Sequence, residues 1–494
     1  MKIALLPLDE RPANTRYPAQ VAAIAGATLA LPPQIALPDM RMPASRIDLG
    51  LWLQREAAQC DGIVASIDLI GYGGLIASRI SYDSIEEVLQ WIEPLTELRD
   101  ERRPVFAFNV IQRISNANDA LEEPAYWAQF GVRLHRLSRE MDMRAEMEPA
   151  RSDTSPAFAL AVQDWLTRRA RNHAVNLAML REAALGKFDL LVIPSDDTSP
   201  IGLGARERKH LEFWKDILSP LPLGEDGQAA ILMYPGADDL CSTLVARMIN
   251  RQRNHSPRVF VHFIDDALAS SVAPYEDRPI HQAVATQVMA AGAQSTTHLD
   301  EADVVLVVSP PFERKGDRDP HPLDLDAEAR RAELLPAAQR IAQWVNEGRR
   351  VAVADVAFPN GAEPALVELL VQQVDIARLV AFGGWTTAGN TLGSVLGCAC
   401  VPCDDDHARQ IALAHHLLED WGYQSVVRND LRSWLSEKFG APAIPPDHLD
   451  EATAFTAAWL EPIAQRIRAA GLPCVVGNVR HPWRRTFEVD FDLS

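Results

Sequence analysis

Short apolar runs rich in Val, Ile and Leu recur along the chain, and longer segments with helical periodicity separate them. Such runs are typical of strands buried on both faces, and their alternation with helices is typical of parallel sheets. The pattern therefore predicts an α/β protein with two Rossmann-like units, each a parallel sheet flanked by helices, with a barrel-like first unit as the alternative. The candidate strands are residues 2–8, 62–67, 104–110, 189–194, 229–234, 258–264, 303–308, 350–356 and 378–382.

Changes in composition along the chain suggest where its domains divide. The polar segment 250–257, NRQRNHSP, is typical of a linker, and the charged, Pro-rich stretch 311–323 is typical of a surface loop. After residue 404 the pattern becomes helical, with amphipathic segments at 405–422 and 451–471. The predicted domains are an N-terminal α/β domain with Asp-rich strand ends (1–255), a second α/β domain (256–404) and a helical C-terminal cap or arm (405–494).

Polar residues follow most of the predicted strands, as in LPLDERP, SIDLIGYGG, FNVIQR, IPSDDTSPIG, YPGADD and FGGWTTAGN. Parallel sheets and barrels both bind ligands outside the carboxyl ends of their strands. We therefore expect one or two clefts that collect these polar segments.

Three pairs of adjacent aspartates stand at strand ends: Asp196 with Asp197, Asp238 with Asp239, and Asp265 with Asp266. Neighbouring side chains on an extended chain point in opposite directions, so one carboxylate of each pair is expected to face the cleft. Carboxylates held close together raise one another's pKa, which is what acid/base catalysis requires. The predicted catalytic residues are Asp68, Asp197 and Asp239.

Two alternatives for the aspartates stay open. Asp is favoured at the residue that precedes a helix, so at least half of the six paired aspartates are expected to be helix caps. Carboxylate oxygens are also ligands for Mg²⁺ or Ca²⁺, which is the alternative to an enzyme without a cofactor.

Further polar side chains near these strand ends are candidates for binding the substrate. Arginines and Gly-flanked turns suit an anion or a close ligand, whereas Asn and Asp bind hydroxyl groups and an indole packs against a sugar ring. The mixture is typical of a saccharide site. The candidates are Asp9, Arg11, Tyr72, Arg79, Arg113, Asp196, Asp238, Asp355, Asn360, Trp385 and Asn390.

Composition narrows the possible function. The 494 residues carry a formal charge of −19, which disfavours nucleic acid and anionic membranes as partners. We expect a cytoplasmic protein, because no apolar stretch is long enough to span a membrane, an early Asp9 disfavours a signal peptide, and six irregularly spaced cysteines do not suggest a disulfide framework. Motifs for dinucleotides, nucleoside triphosphates, serine hydrolases and zincins are missing from the sequence.

The phrases LPLDERPAN, SIDLIGYGGLIASR, PSDDTSPIG, YPGADD, VADVAFPNGAE and FGGWTTAGNTLG occur in this order. Together they resemble a bacterial family known as domain of unknown function 4127, over most of residues 1 to 400. The resemblance implies one enzyme-like unit but names no reaction. Thr386 stands where the family usually has Asn, and Asp239 stands where Glu is common; Asp keeps the charge but reaches less far.

The residues favour a carbohydrate-active hydrolase, most simply a glycoside hydrolase that uses two carboxylates. Two alternatives remain: a divalent-metal-dependent hydrolase or isomerase of a small polar substrate, and a non-catalytic sugar-binding sensor. Binding alone does not need several converging carboxylates, since burying unpaired charge is costly. The expected partner is a saccharide or another small molecule, and the sequence leaves the oligomeric state open.

Overall fold

The computed structural model describes residues 1–100, 102–143, 155–218, 231–311 and 327–494. The chain forms two compact units. The first unit comprises residues 1–10, 28–241 and 275–277, and the second comprises residues 11–27, 242–274 and 278–494. The C-terminal region after residue 404 thus belongs to the second unit, and its role as a separate cap or arm stays a prediction.

The first unit is built on an open parallel sheet of six strands in the order β2-β1-β3-β4-β5-β6. Apolar side chains cover both faces of the central strands; all five residues of β3 are buried. Because β2 and β6 are the two edges of this sheet in the described residues, the alternative expectation of a barrel-like first unit is wrong. The strands are β1 (Lys2–Leu6), β2 (Thr28–Ala30), β3 (Gly62–Ser66), β4 (Val105–Phe108), β5 (Leu190–Val192) and β6 (Ile231–Leu232).

Helices pack on this sheet and provide the remaining walls of the candidate site. Ser66 caps the short helix after β3 by accepting a hydrogen bond from the Leu69 N–H at 3.1 Å. The helices of the first unit are α2 (Arg46–Ala57), α3 (Ile67–Tyr72), α4 (Leu75–Ile80), α5 (Ile85–Thr96), α6 (Trp127–Met143), α7 (Pro156–Ala184) and α8 (Leu203–Leu218).

The second unit contains a parallel sheet of five strands in the order β11-β10-β9-β7-β8. An antiparallel ribbon, β12 with β13, completes its strands. The apolar runs of β9 and β10 are buried throughout. The strands are β7 (Arg258–Phe263), β8 (Gln294–Thr296), β9 (Val304–Ser309), β10 (Val351–Asp355), β11 (Ala381–Gly383), β12 (Val476–Arg480) and β13 (Asp490–Leu493).

The helices of the second unit include an unusual π-helix, Leu417–Val427, in which each turn holds more residues than in an α-helix. It continues α14 directly into α15. The helices are α1 (Arg16–Ile24), α9 (Leu240–Gln252, whose first two residues belong to the first unit), α10 (Ile280–Ala290), α11 (Ala327–Asn346), α12 (Pro364–Gln373), α13 (Ala388–Ala399), α14 (Asp406–His416), α15 (Arg428–Phe439) and α16 (Leu449–Ala469).

The structure confirms the α/β class and all nine predicted strands, with shifted ends. The predicted end of a helix at Gly422 is wrong, because the helical chain runs on to Phe439. Gly422 lies inside the π-helix, where an added Cβ would meet Ile463 of α16 at 3.1 Å. This glycine allows close helix packing and does not end a helix. The predicted loop at 311–323 lies outside the described residues, apart from Pro311.

Candidate functional site

The carboxyl ends of the strands of the first unit carry most of the predicted site residues. Because the strands are parallel, the segments that follow them all emerge at the carboxyl end of the sheet. Asp9 follows β1, Asp68 lies in the first turn of α3 after β3, and Arg113 follows β4. The two Asp pairs of this unit follow β5 and β6.

A pocket opens at this carboxyl end of the sheet, between the segments that follow β4 and β5. Its walls are residues 111–114 after β4, three residues of α6, residues 195–199 after β5, and residues 201–205, except 203, at the start of α8. Asp196, Asp197 and Arg113 line it. Of the three predicted catalytic carboxylates, Asp197 lines this pocket, whereas Asp68 and Asp239 are fully buried elsewhere in the unit.

The backbone at Asp197 departs from the extended geometry that the sequence suggested. Asp197 has φ of 39°, in the left-handed region that Asp adopts more readily than most residues. The alternation of side chains along a strand therefore does not apply, and both Asp196 and Asp197 line the pocket. The expectation that only one carboxylate of this pair faces the cleft is wrong. Left-handed backbone outside glycine is concentrated at functional sites.

Two arginines hold the carboxylates of the pocket in place. The Arg79 guanidinium contacts Asp196 at 2.5 Å and Glu122 at 3.0 Å. The Arg113 guanidinium contacts Asp197 at 3.1 Å and Glu122 at 3.0 Å. Both arginines also lie near Glu123, at 3.6 Å and 3.5 Å. The two guanidinium groups thus share four carboxyl groups, which leaves an excess of acidic groups.

Burial raises the pKa values of two of these carboxyl groups, Asp196 and Glu123. Burial is the main cause that raises the pKa of Asp196, and the adjacent Asp197 adds to it, while Arg79 and Arg113 act in the opposite direction. Burial likewise raises the pKa of Glu123 against the effect of the two arginines. Each arginine divides its charge among several carboxylates, so neither neutralises Asp196 alone. Asp196 is therefore arranged to retain its proton at pH values above the usual pKa range of carboxyl groups.

Asp68 lies behind the pocket and is joined to it by Gln112. Its Oδ2 accepts the Val110 N–H at 2.9 Å, and its Oδ1 accepts the Gln112 amide at 3.1 Å. Gln112 in turn accepts from Arg79 Nε at 3.0 Å. Burial raises the pKa of Asp68 to about 6 despite these hydrogen bonds. The structure thus brings together five predicted residues: Asp68, Arg79, Arg113, Asp196 and Asp197.

A second acidic group of the first unit surrounds Cys241. Burial raises the pKa of this thiol, and the charges of Asp9, Asp238 and Asp239 raise it further. Asp9 and Asp239 are buried, at 2% and 0% exposure. These three predicted residues thus share one neighbourhood around the buried Cys241 thiol.

Tyr72, another predicted substrate-binding residue, is a buried core residue. The Arg171 guanidinium lies over its ring, 4.8 Å from the centroid. The glycines that follow Tyr72 serve the turn itself, since Gly73 and Gly74 have φ of 93° and 129°. An added Cβ at Gly73 would lie 2.7 Å from the Pro43 side chain.

The remaining predicted residues belong to the second unit. The buried Asp355 accepts the Glu363 N–H at 2.5 Å, and burial together with the Glu363 charge raises the pKa of Asp355 to about 7. The Asn360 N–H donates to the Thr386 carbonyl at 3.1 Å, and both residues are left-handed, with φ of 59° and 65°. Asn tolerates this conformation better than Thr does.

Aromatic and amide residues of the second unit occupy structural positions. The buried Trp385 packs against Ala13, Tyr17 and Phe487. Asn390 donates to Thr387 Oγ1 at 3.1 Å within the first turn of α13. The partners of Arg11 in its own unit include Glu488 at 3.8 Å and the Trp483 ring at 4.4 Å. Asp265 is a helix cap, as predicted for part of the paired aspartates, because its side chain accepts the Ala267 N–H.

The sequence interpretation missed two groups of titratable residues. Glu122 and Glu123, which contact Arg79 and Arg113 beside the pocket, were overlooked, although two adjacent glutamates before Pro124 in a polar segment are a visible signal. A buried network in the second unit was also missed: Tyr17 donates to Glu419, and His416 pairs with Asp420 at 3.4 Å. The Asp420 charge overcomes burial and raises the pKa of His416 to about 10. The π-helix places Glu419 and Asp420 here, and no periodicity in the sequence predicts it.

The described residues contain neither a candidate metal-binding cluster nor a helix that could span a membrane. Among residues 1–100, 102–143, 155–218, 231–311 and 327–494, no three His, Cys, Asp or Glu side chains are grouped closely enough to hold a metal ion. None of the described helices is both long enough and apolar enough to cross a membrane.

Comparison with known proteins gives a family but no activity. No curated protein and no solved structure matches the chain significantly. A family model described as "Protein of unknown function (DUF4127)" matches residues 3–492. The chain therefore belongs to the DUF4127 family.

Proposed function

We propose that this protein is a carbohydrate-active hydrolase that cleaves a glycosidic bond with the carboxyl groups of the pocket in the first unit. The observation that carries the proposal is the pair Asp196 and Asp197, which line one pocket together while two arginines are shared among four carboxyl groups. Glycoside hydrolysis needs one protonated carboxyl group and one carboxylate at the same bond.

Asp196 is proposed as the general acid. A general acid must hold its proton near neutral pH, and burial beside Asp197 raises the pKa of Asp196 in that direction. Its contact with Arg79 fixes the orientation of the carboxyl group without removing the proton, because Arg79 also contacts Glu122 and Glu123. Protonation of the leaving oxygen by Asp196 would leave its carboxylate stabilised by the same guanidinium.

Asp197 is proposed as the nucleophile or as the base that activates water. Its side chain is 31% exposed, compared with 15% for Asp196, and Arg113 contacts it at 3.1 Å. The exposed carboxylate is thus the more accessible of the two to a substrate or a water molecule. Arg79 and Arg113 are positioning residues in this proposal, and Asp68 supports Arg79 through Gln112.

The test is hydrolysis of a panel of aryl glycosides by the full chain, with and without a chelator. We expect turnover that the chelator does not change, and a loss of about 10²-fold or more in kcat for Asp196→Asn and Asp197→Asn. Glycosides with a more acidic phenol need less help from an acid. The loss in Asp196→Asn should therefore shrink as the leaving group improves, whereas the loss in Asp197→Asn should not follow this trend.

Asp100→Asn is the matched control, because Asp100 is exposed and lies before β4, at the opposite end of the strand from the pocket. It should hydrolyse at the wild-type rate. Wild-type turnover in both pocket variants would contradict the proposal, and so would the absence of hydrolysis across the panel. Turnover that disappears with the chelator would favour a metal-dependent hydrolase.

A further inference from the structure

One wall of the pocket carries a cation that the proposed acid and base do not use. Helix α6 contributes His135, Ser138 and Arg139 to the lining. Their spacing of three and four residues places them on one face of the helix. Arg139 is half-buried there.

Arg113 and Ser138, two other polar residues of the lining, have partners in the first unit. Arg113 is held by Asp197 and Glu122, and Ser138 Oγ accepts the Leu203 N–H at 2.8 Å. Arg139, by contrast, has neither an ion pair nor a hydrogen bond with any residue in the described part of the chain. A guanidinium that lines the pocket and has no partner among the described residues is available to pair with an anion there.

We propose that the pocket binds a substrate with an anionic group, a carboxylate or a phosphate, and that Arg139 binds this group. The proposal rests on the proposed function and specifies its substrate class: an acidic or phosphorylated saccharide. The planar guanidinium matches both anions because it donates two parallel hydrogen bonds to two of their oxygens.

The charges around Arg139 support this assignment. His135 is one helical turn away, and both burial and the Arg139 charge lower its pKa, so His135 is a neutral hydrogen-bonding group near pH 7. The acidic side of the pocket, Asp196 and Asp197, repels an anion. An anionic substituent is therefore attracted to Arg139 on α6. This contact fixes the orientation of the substrate and places its neutral part next to the carboxyl groups of Asp196 and Asp197.

The experiment is calorimetric titration of the full chain with three probes: D-glucuronate, D-glucose 6-phosphate and D-glucose. We expect the wild-type protein to bind at least one of the two anions more tightly than D-glucose. Arg139→Gln should weaken binding of that anion by at least about 10-fold and leave the affinity for D-glucose unchanged. Comparison of the two anions distinguishes a carboxylate site from a phosphate site.

Arg136→Gln is the matched control, because Arg136 is an exposed arginine on the same helix that does not line the pocket. It should bind the probes as the wild type does. Equal affinity of wild type and Arg139→Gln for both anions would overturn the inference, as would a wild type that binds neither anion more tightly than D-glucose. Binding does not depend on turnover, so anion binding through Arg139 together with no hydrolysis would refute the proposed function alone.

Discussion

The buried carboxyl group of Asp68 makes the stability of the folded chain depend on pH. Burial raises the pKa of Asp68 to about 6 from an ordinary value of 3.8. Between these values the folded chain binds a proton that the unfolded chain has lost, so the contribution of Asp68 to stability falls as the pH rises and is constant above the folded pKa. The full difference corresponds to about 3 kcal/mol.

We therefore predict that Asp68→Asn changes the pH dependence of stability. The unfolding free energy of the wild type relative to Asp68→Asn should fall by up to about 3 kcal/mol between pH 4 and pH 7, measured by urea denaturation at several pH values. Asp48→Asn, which removes an exposed carboxylate from α2, is the control. A constant difference between wild type and Asp68→Asn over this range would contradict the assignment.

Single residues also show what sequence reasoning could find. Asp196, Asp197 and Arg113 were predicted because they follow buried strands, whose carboxyl ends bind ligands, and Arg79 was predicted because it lies in the helix after a Gly-rich turn. Tyr72 was misleading, because its ring packs under Arg171 and the contact joins residues almost 100 positions apart. The left-handed backbone of Asp197 was not predictable either, because even Asp adopts this conformation in only a minority of cases.

The packing of helix α6 matters for the pocket, because this helix carries the lining residues His135 and Arg139. Its Gly131 lies where an added Cβ would be 2.1 Å from the Ala117 carbonyl oxygen and 2.5 Å from the Trp127 ring. Gly50 in α2 is the opposite case, because an added Cβ there meets no described atom within 4 Å. Substitution of glycine by alanine should therefore have opposite effects on the unfolding free energy at these two positions.

We predict that Gly50→Ala raises the unfolding free energy by up to about 1 kcal/mol, because alanine favours the helix. Gly131→Ala should lower it by about 1 to 3 kcal/mol, since the close contacts outweigh that gain. Urea denaturation of both variants measures the difference. Stabilisation by Gly131→Ala would mean that α6 does not pack as closely as the structure indicates.

At the scale of elements, the strands were predictable to the extent that they are apolar. The nine predicted strands are apolar runs, and all of them except β7 are mostly buried. The short strands β2 and β8 were missed because each has three residues and neither contains a buried residue. The π-helix was missed because it depends on the packing of buried side chains such as Tyr17 against Glu419.

The two sheets of the molecule share a strand order that the sequence did not reveal. In each unit the first strand lies between the second and the third, as in β2-β1-β3-β4-β5 and β8-β7-β9-β10-β11. In this order the chain changes direction along the sheet between the first and third strands, which is where such sheets bind ligands. Asp9 and Asp68 follow these two strands in the first unit, whereas the pocket with Asp196 and Asp197 lies further along the sheet, between the segments that follow β4 and β5.

The charge of the whole chain leads to a separate prediction. A formal charge of −19 repels the phosphates of DNA, so labelled duplex DNA should not bind at about 50 mM salt in a fluorescence anisotropy titration. Binding that weakens steeply with added salt would contradict this expectation, because it would require a cluster of basic residues that neutralises several phosphates.

The central claim is that the pocket retains a proton on Asp196, and carboxyl NMR tests it without a substrate. The full chain would be labelled with ¹³C at the Asp carboxyl carbons and titrated from pH 3 to pH 9. Comparison with Asp196→Asn identifies the resonance of Asp196. We predict that this resonance titrates with a midpoint clearly above the ordinary value of 3.8, because burial and Asp197 favour the neutral form. A midpoint at or below 3.8 would contradict the account.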